Sequence, residues 1–268
     1  MMNREAVIGG VDAPARWSAE AAHSGALIVN ADDWGRDREN TDSTLECVLH
    51  GAVSSVSAMV FMEDSERAAT IALEKGIDAG LHLNFTTGFS APGTSGRLIE
   101  HQTRIGSYVK RHRLAQVVYH PGLAGSFQYV VAAQLDEFFR LFGFAPKRID
   151  GHHHMHLCAN VLQKNLLPAG TTVRRNFSFQ PGEKSYANRV YRRIIDRKLA
   201  KRHSLTDYFY SLPPLEPTSR LVRIFSLAKK FKVEVETHPV VTEEYRFLMG
   251  EEMLRLSAAV RAQIADAS

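Results

Sequence analysis

Short apolar runs alternate with amphipathic stretches between residues 27 and 240, and this pattern predicts strands separated by helices. The predicted strands lie at residues 27–29, 53–61, 77–85, 148–150, 172–174, 208–210 and 232–236. The predicted helices lie at residues 39–50, 64–75, 130–142, 159–167, 189–202, 219–231 and 242–267, the last as one helix or a pair of helices. Because strands and helices alternate, we expect parallel strand pairing with right-handed crossovers, as in α/β proteins.

One segment, residues 86–128, interrupts this alternation because it is rich in Gly, Ser and Pro. Segments of this length without regular structure are typically lids or binding loops. We therefore predict a long insertion loop that covers the substrate and contains short helices. Residues 1–24 are predicted to be a flexible tail, and residues 25–268 to be one domain, since no internal repeat or linker is evident.

The composition is that of an ordinary globular protein, with 44% hydrophobic and 23% charged residues in a chain of 268. Much of the basic excess behind the net charge of +4 lies in residues 189–202, where a solvated helix face is favoured over an anionic partner. We predict no nucleic-acid partner. Two cysteines exclude a disulfide framework and a zinc knuckle. No apolar run reaches 18 residues and no signal peptide is evident, which predicts no membrane span and a soluble, cytoplasmic protein.

Four predicted strands end in residues that can bind a metal or carry a proton. These residues are Asp32 and Asp33, His82, Asp150 and His152, and His238. The carboxyl ends of parallel strands meet on one rim of a sheet or barrel, so we expect these side chains to converge. One carboxylate and two imidazoles make a common three-ligand site for a catalytic divalent metal, with positions left for water and substrate.

Each of these residues also has a structural interpretation. The two aspartates fit a polar turn with a helix N-cap, and His82 fits a buried core histidine between two leucines. The run of histidines after Asp150 fits a surface tract, and His238 fits an ordinary strand end. Their common position at strand ends favours a site over four separate structural roles.

Five segments carry a resemblance to a known family. They are Asn-Ala-Asp-Asp-Trp-Gly at residues 30–35, Gly-Leu-His-Leu at 80–83, Ile-Asp-Gly-His-His-His-Met-His at 149–156, Val-Arg at 173–174 and Glu-Thr-His-Pro at 236–239. In order and spacing they resemble the YdjC-like (ChbG-type) carbohydrate deacetylases. The resemblance implies a single-domain, irregular TIM-like (β/α) barrel related to the NodB-type polysaccharide deacetylases. It also implies removal of acetyl groups from N-acetylated sugars with one divalent metal ion, Zn²⁺ or Mg²⁺, although Co²⁺ and Mn²⁺ also suit such ligands.

The resemblance also implies a role for each matching residue. Asp33, His82 and His152 are expected to bind the metal. Asp32 is expected to be the catalytic base, with Arg174 beside it and His238 as the acid. The remaining candidates are substrate-binding residues, namely Trp34, Asp150 and His156; Asp150 is also a candidate to orient a ligand histidine, and His156 is the alternative ligand to His152.

Two other functions compete with deacetylation. A metal-dependent hydrolase of another bond, such as a phosphoester, is less favoured because two-metal phosphatases generally need more carboxylates than these strand ends supply. A non-catalytic carbohydrate-binding relative is less favoured because Asp32, Asp33, His82 and His152 are all present. Trp34 stands where the family usually has Phe, and Val240 where it generally has Gly or Ala, which leaves the substrate open. The expected partners are an acetylated sugar and, since dimers are common in the family, a second copy of the chain.

Overall fold

The computed structural model describes residues 25–111, 113–179 and 183–265. The predicted tail at residues 1–24 and the last three residues of the predicted domain lie outside the described residues.

Seven parallel strands form one sheet in the described part of the chain. They are β1 (Ala26–Trp34), β2 (Ser55–Ala58), β3 (Ala79–Leu83), β4 (Arg148–Gly151), β5 (Thr172–Val173), β6 (Tyr208–Ser211) and β7 (Lys232–Thr237). Their spatial order is β5-β4-β3-β2-β1-β7-β6, and the sheet curls into a half-barrel. An isolated parallel bridge between Thr172 and Ser204 links β5 to the chain just before β6. The predicted α/β barrel class is confirmed.

Helices connect and flank the strands. They are α1 (Arg38–Leu49), α2 (Ser65–Lys75), α3 (Gly96–Val109), α4 (Ala124–Phe142), α5 (Ala159–Gln163), α6 (Tyr186–Leu199), α7 (Thr218–Leu227), α8 (Thr242–Leu248) and α9 (Glu251–Ala265). Among the described residues, no helix has the length and apolar character needed to cross a bilayer.

The prediction of a long loop at residues 86–128 is wrong for much of that segment. Helix α3 occupies 14 of its residues, and α4 begins at Ala124, earlier than predicted. The apolar positions Leu98, Ile105 and Val109 share one buried face of α3, which packs on α4. The glycines around this helix obscured its periodicity, because glycine is normally a helix breaker.

The two faces of the sheet have different chemistry. Alternate residues such as Val29, Val233 and Val235 belong to the hydrophobic core. Between them, Asn30 and Glu234 are equally buried but make polar contacts on the other face. The concave side of the half-barrel is therefore a buried polar network rather than an apolar core.

Gly80 in β3 makes room for part of this network. A Cβ atom at this position would lie 2.8 Å from the carbonyl oxygen of Arg148 and 3.2 Å from its Nε. The Arg148 side chain instead crosses the neighbouring strands and donates to Asn30 Oδ1 at 3.3 Å and to the Val56 carbonyl at 3.1 Å. Glycine at residue 80 thus allows one guanidinium group to tie three strands together.

Candidate active site

An irregularity at the end of β1 directs two consecutive carboxylates to the same place. The register between β1 and β2 shifts between Ala31 and Trp34, so β1 carries an extra residue there. Asp33 has a φ of 64°, in the left-handed region that aspartate tolerates better than most residues. In a regular strand Asp32 and Asp33 would face opposite sides, whereas here both approach His82 Nε2, at 4.0 and 3.3 Å.

A tight 3₁₀ turn, His152–Leu157, follows β4 and places the histidine run. Two of its residues, His153 and His154, have φ of 53° and 57°, so the segment is not a regular helix. His152 therefore points to Asp33, whereas His156 Nε2 donates to the Arg174 carbonyl at 2.9 Å. This geometry favours His152 over His156 as the ligand candidate.

Asp33, His82 and His152 form a compact, buried group whose ligand atoms all lie within 4.8 Å of one another. Asp33 Oδ1 lies 3.3 Å from His82 Nε2 and 2.9 Å from His152 Nδ1. This oxygen is buried, yet no donor among the described residues reaches it in hydrogen-bond geometry. A buried acceptor without a donor, between two imidazole nitrogens, fits a divalent cation.

A second group with similar spacing, Asp32, His82 and Asp150, is less suited to a metal. Arg174 binds both carboxylates, donating to Asp32 Oδ1 and Oδ2 at 2.7 Å and pairing with Asp150 Oδ2 at 2.8 Å. Each of these two carboxylates already pairs with the Arg174 cation, which weakens its attraction for a second cation. Asp33 has a different cationic neighbour, because Arg36 donates to its Oδ2 at 3.0 Å and not to the Oδ1 that faces the imidazoles.

Arg174 follows β5 directly and organises the polar interior. Its side chain has no exposed surface. In addition to Asp32 and Asp150, it donates to Glu234 Oε1 at 2.7 Å and to Glu236 Oε2 at 3.4 Å. Because a guanidinium group offers five donors in a fixed plane, it can hold several carboxylates at once. Asn30 Nδ2 also donates to Asp32 Oδ1, at 2.8 Å, which fixes the orientation of that carboxylate.

The electrostatics of the cluster favour a bound cation. The buried acidic groups around Arg174 outnumber it; they are Asp32, Asp33, Asp150, Glu234 and Glu236, of which the two glutamates have pKa values raised by burial and so contribute less negative charge. Burial favours neutral His82, but the carboxylates of Asp32 and Asp150 outweigh it and raise the pKa of His82 to about 10. Burial likewise opposes the charge on Asp33, but His152 and His82 hold its pKa well below the usual range. Protonated His82 thus offsets part of the negative charge of the neighbouring carboxylates. A divalent ion would offset this charge instead when it binds.

His238 lies at the edge of this cluster. Ala31 of β1 pairs with Thr237 of β7, so His238 follows at the level of Asp32. The backbone N–H of His238 donates to Glu244 Oε2 at 2.9 Å, and its Nδ1 lies 4.0 Å from Glu244 Oε1. About a third of the His238 side chain is exposed, at 34%, so it can meet a ligand from solution.

The three predicted substrate-binding residues are all enclosed by protein. The prediction is wrong for Trp34, because its side chain has no exposure and its indole N–H donates to the Ala68 carbonyl at 3.1 Å. The extra residue in β1, a β-bulge, moves Trp34 to the opposite face of the sheet, where its side chain contacts α2. Asp150 accepts from Ser57 at 2.5 Å and lies 2.8 Å from His82 Nδ1, a geometry that suits the expected role of orienting a ligand histidine better than contact with a substrate. His156 is likewise fully buried against Arg174.

Glu234 and Glu236 are site residues that the sequence interpretation missed. Both lie on β7, two residues apart, and are 2% and 5% exposed. Val and Glu alternate in β7, which is typical of a strand whose glutamates face solvent. The alternation does not indicate that the glutamates are buried. The available signal was Arg174, since a buried arginine requires acidic partners.

Comparisons with known proteins agree with this architecture. The chitooligosaccharide deacetylase of Serratia marcescens is 33% identical over 132 residues, which are 49% of this chain and only 50% of that relative. The carbohydrate deacetylase of Vibrio cholerae serotype O1 is 24% identical over 266 residues, covering 90% of this chain and 95% of the relative. The fold matches a solved protein of Enterococcus faecalis V583, named for cellobiose-phosphate cleavage, with a TM-score of 0.61 and 16% identity over 88% of this chain and 95% of that one.

A profile of the YdjC-like proteins matches residues 26–262, which include every strand and the whole cluster around Asp33. The chain therefore belongs to the YdjC-like protein family.

Proposed function

We propose that the chain is a metal-dependent carbohydrate deacetylase, a hydrolase that removes acetyl groups from N-acetylated carbohydrates such as chito-oligosaccharides. The observation that carries the proposal is the Asp33, His82 and His152 group, with Asp32 close by but bound to Arg174. This arrangement would supply a metal site and a separate carboxylate base in one place. The names of the Serratia and Vibrio relatives support the same activity.

The residues that would hold the metal are Asp33, His82 and His152. Their oxygen and nitrogen donors suit Zn²⁺ or Mg²⁺, and also Co²⁺ or Mn²⁺. A divalent ion there would supply Lewis acidity and lower the pKa of water. His82 is oriented for this role, because its Nδ1–H donates to Asp150 Oδ1 at 2.8 Å and its Nε2 thereby faces Asp33.

Asp32 would act as the general base. Burial opposes its charge, but Arg174 outweighs burial and holds the pKa of Asp32 below its usual value. The carboxylate is thus ionised at neutral pH and ready to accept a proton from the attacking water. The bidentate contact with Arg174 also keeps it from turning towards the ligand group.

His238 would act as the general acid. Amide hydrolysis expels an amine, which requires a proton at the departing nitrogen, and imidazole exchanges protons near neutral pH. Glu244 anchors the backbone of His238, while the partly exposed ring stays free to meet the substrate.

Replacing Asp150 with Asn tests the orientation of His82. We expect Asp150→Asn to weaken metal binding by about 10–100-fold, the usual effect of removing the carboxylate behind a ligand histidine. Metal titration against a competing chelator measures this without any assay of turnover. Asp78→Asn is the matched control, because Asp78 pairs with Arg148 in the same sheet but is largely exposed. Wild-type affinity in Asp150→Asn would contradict the orienting role.

The direct test of the function is an acetate-release assay on N-acetylglucosamine oligomers with Zn²⁺, Mg²⁺, Co²⁺ or Mn²⁺ added to chelator-treated protein. We expect acetate and a free amine in equal amounts, and no product without metal. Release of phosphate from sugar phosphates instead would favour a phosphoester hydrolase. Sugar binding with no product under any metal would favour a non-catalytic relative.

A further inference from the structure

Helix α6 leaves both apolar and basic side chains exposed on one side. At 3.6 residues per turn, six of its outward residues fall within about 120° of one another around the helix axis. They are Tyr186, Val190, Ile194, Arg197, Lys198 and, just past the end of the helix, Lys201, and these six residues form the outer face of α6. Tyr186 is 80% exposed and Ile194 is 56% exposed. Sequence alone favours a solvated basic face in this segment, whereas the structure shows that large apolar side chains share it.

The opposite side of α6 holds the helix to the rest of the protein. Leu199 is buried there, and Ile195 packs against the hydrophobic core. Asp196, the one acidic residue of the helix, also lies on this side. Its carboxylate accepts from the backbone and side-chain N–H groups of Asn176, at 3.0 and 2.9 Å, and pairs with Arg175 at 3.0 Å. The helix therefore turns its carboxylate inwards and its cations outwards.

The cations of the outer face have no acidic partner among the described residues. No carboxylate in that part of the chain lies within ion-pair distance of Arg197, Lys198 or Lys201. Glu183, the acidic residue that precedes the helix, lines the cavity between β6 and α7 instead. Three cations within five residues produce a positive surface potential, which attracts an anionic partner.

A lipid bilayer with anionic headgroups matches both the charge and the apolar residues of this face. Helices that lie in a membrane interface combine basic residues, which contact the headgroups, with aromatic and aliphatic residues, which insert between them. A tyrosine such as Tyr186 suits the headgroup level, because its ring is apolar and its hydroxyl group is polar.

Two other partners fit the outer face less well. A nucleic acid would account for the cations, but its phosphate backbone offers no apolar surface for Ile194. A second copy of the same face is disfavoured, because a two-fold contact would bring the like charges of Arg197, Lys198 and Lys201 together.

We propose that the outer face of α6 docks the protein on an anionic lipid bilayer. In this arrangement α6 lies along the membrane surface, with Tyr186 and Ile194 inserted among the headgroups and the three cations at the lipid phosphates. Because no helix of the described residues can cross a bilayer, the contact is peripheral and involves one leaflet. The proposal does not depend on the deacetylase function, since no residue of the outer face belongs to the cluster around Asp33.

Docking would also place the candidate active site near the membrane. The inner side of α6 contributes Asn188 and Arg192 to a cavity of about 270 Å³. His153 and His154, which follow the ligand candidate His152, line the same cavity. One helix thus separates this cavity from the surface that would meet the lipid.

Vesicle co-sedimentation tests the docking without an assay of turnover. Full-length protein is mixed with vesicles of phosphatidylcholine alone, or of phosphatidylcholine and phosphatidylglycerol, at about 0.1 M salt. We expect binding to the anionic vesicles to be roughly 10-fold or more tighter than to the neutral ones. The difference should shrink as salt is added, because exposed charges are then screened.

Variants at exposed positions localise the contact and are expected to fold. Arg197→Gln combined with Lys201→Gln should weaken binding to anionic vesicles by about 25-fold, since each cation near such a bilayer contributes about 5-fold. Ile194→Ser keeps every charge and should weaken binding by about 10-fold through loss of apolar insertion. Arg104→Gln combined with Arg246→Gln, on α3 and α8, makes the same change in net charge away from the outer face and should have little effect.

Absence of vesicle binding, or equal binding to neutral and anionic vesicles, would overturn the proposal. Equal losses in the Arg197 and Lys201 variant and in the Arg104 and Arg246 variant would do so as well. Fluorescence anisotropy with a single-stranded DNA oligonucleotide examines the alternative partner. Oligonucleotide binding that needs Arg197 and Lys201 but not Ile194, in a protein that ignores vesicles, would assign the face to nucleic acid and contradict the membrane.

Discussion

Asp32→Asn is expected to keep the metal and to lose turnover, whereas Asp33→Asn is expected to lose the metal. In Asp32→Asn the amide can still accept hydrogen bonds from Arg174, but it cannot take a proton from water. We therefore expect the rate of acetate release to fall on the order of 10²–10⁴-fold with metal content unchanged. In Asp33→Asn the anionic ligand between His82 and His152 is removed, and activity fails because the metal is not retained.

Elemental analysis of dialysed protein, together with kcat from acetate release, separates the two aspartates. His82→Ala and His152→Ala should behave like Asp33→Asn, with low metal content. Asp42→Asn is the matched control, because Asp42 is about half exposed and pairs with Arg67 on the surface. Loss of metal in both aspartate variants would mean that the carboxylates share the ion, and full metal in both would mean that neither binds it. Near-normal rates in Asp32→Asn would remove it from the mechanism.

The different roles proposed for the two aspartates depend on backbone geometry that the sequence does not reveal. Asp33 turns towards His82 because of the bulge and its positive φ, whereas sequence alone predicts only a strand that ends in two carboxylates. The same bulge explains the error at Trp34. In a regular strand, parity would place residue 34 on the face of residue 32, but one extra residue places it in the core under α2.

The order of strands and helices was predictable because it follows from local signals. Apolar runs marked β1 and β3, and Gly76 marked the end of α2, where it adopts the expected left-handed conformation with φ of 65°. The strand-end position of His82 and His152 was predictable for the same reason. Helix α3 was missed although its apolar residues share one face, because Gly96 and Gly106 lie within it and glycine normally breaks helices.

The polar interior of the half-barrel could not be read from the sequence. Glu234 and Glu236 alternate with valines as in any strand with a wet face, and their burial depends on Arg174, about 60 residues earlier in the chain. Long-range charge pairing of this kind has no local pattern. The candidate metal ligands were thus predictable because they follow strand ends, whereas the polar network that orients them was not.

Arg174→Met is expected to reduce the free energy of unfolding by about 3–5 kcal/mol at pH 7, the usual cost of leaving buried charges without their partner. Met keeps much of the side-chain volume, and its thioether can pack on the Phe209 ring that the guanidinium carbon of Arg174 contacts at 4.9 Å, so the loss reports charge rather than a cavity. Urea unfolding measures it. Arg140→Met is the matched control, because Arg140 is 54% exposed and its ion pairs with Glu66 and Glu137 should contribute no more than about 1 kcal/mol.

The loss of unfolding free energy in Arg174→Met should also depend on pH. The ionisation of the buried carboxylates determines whether this loss grows or shrinks as the pH falls. Despite burial, Arg174 holds the pKa values of Asp32 and Asp150 below their ordinary range. In the wild type these two carboxylates therefore stabilise the fold above pH about 4. This contribution is lost as the pH falls through their folded-state pKa values. Without Arg174 the same carboxylates stay buried and keep His82 as a partner but lose the stronger of these two cations, so their ionisation destabilises the fold relative to the wild type. The difference between wild type and Arg174→Met should therefore be largest at neutral pH and shrink towards pH 4, as the carboxylates of the variant take up protons. A difference that stays constant from pH 7 to pH 4 would mean that Arg174 acts through packing, and not as the cation that holds Asp32 ionised.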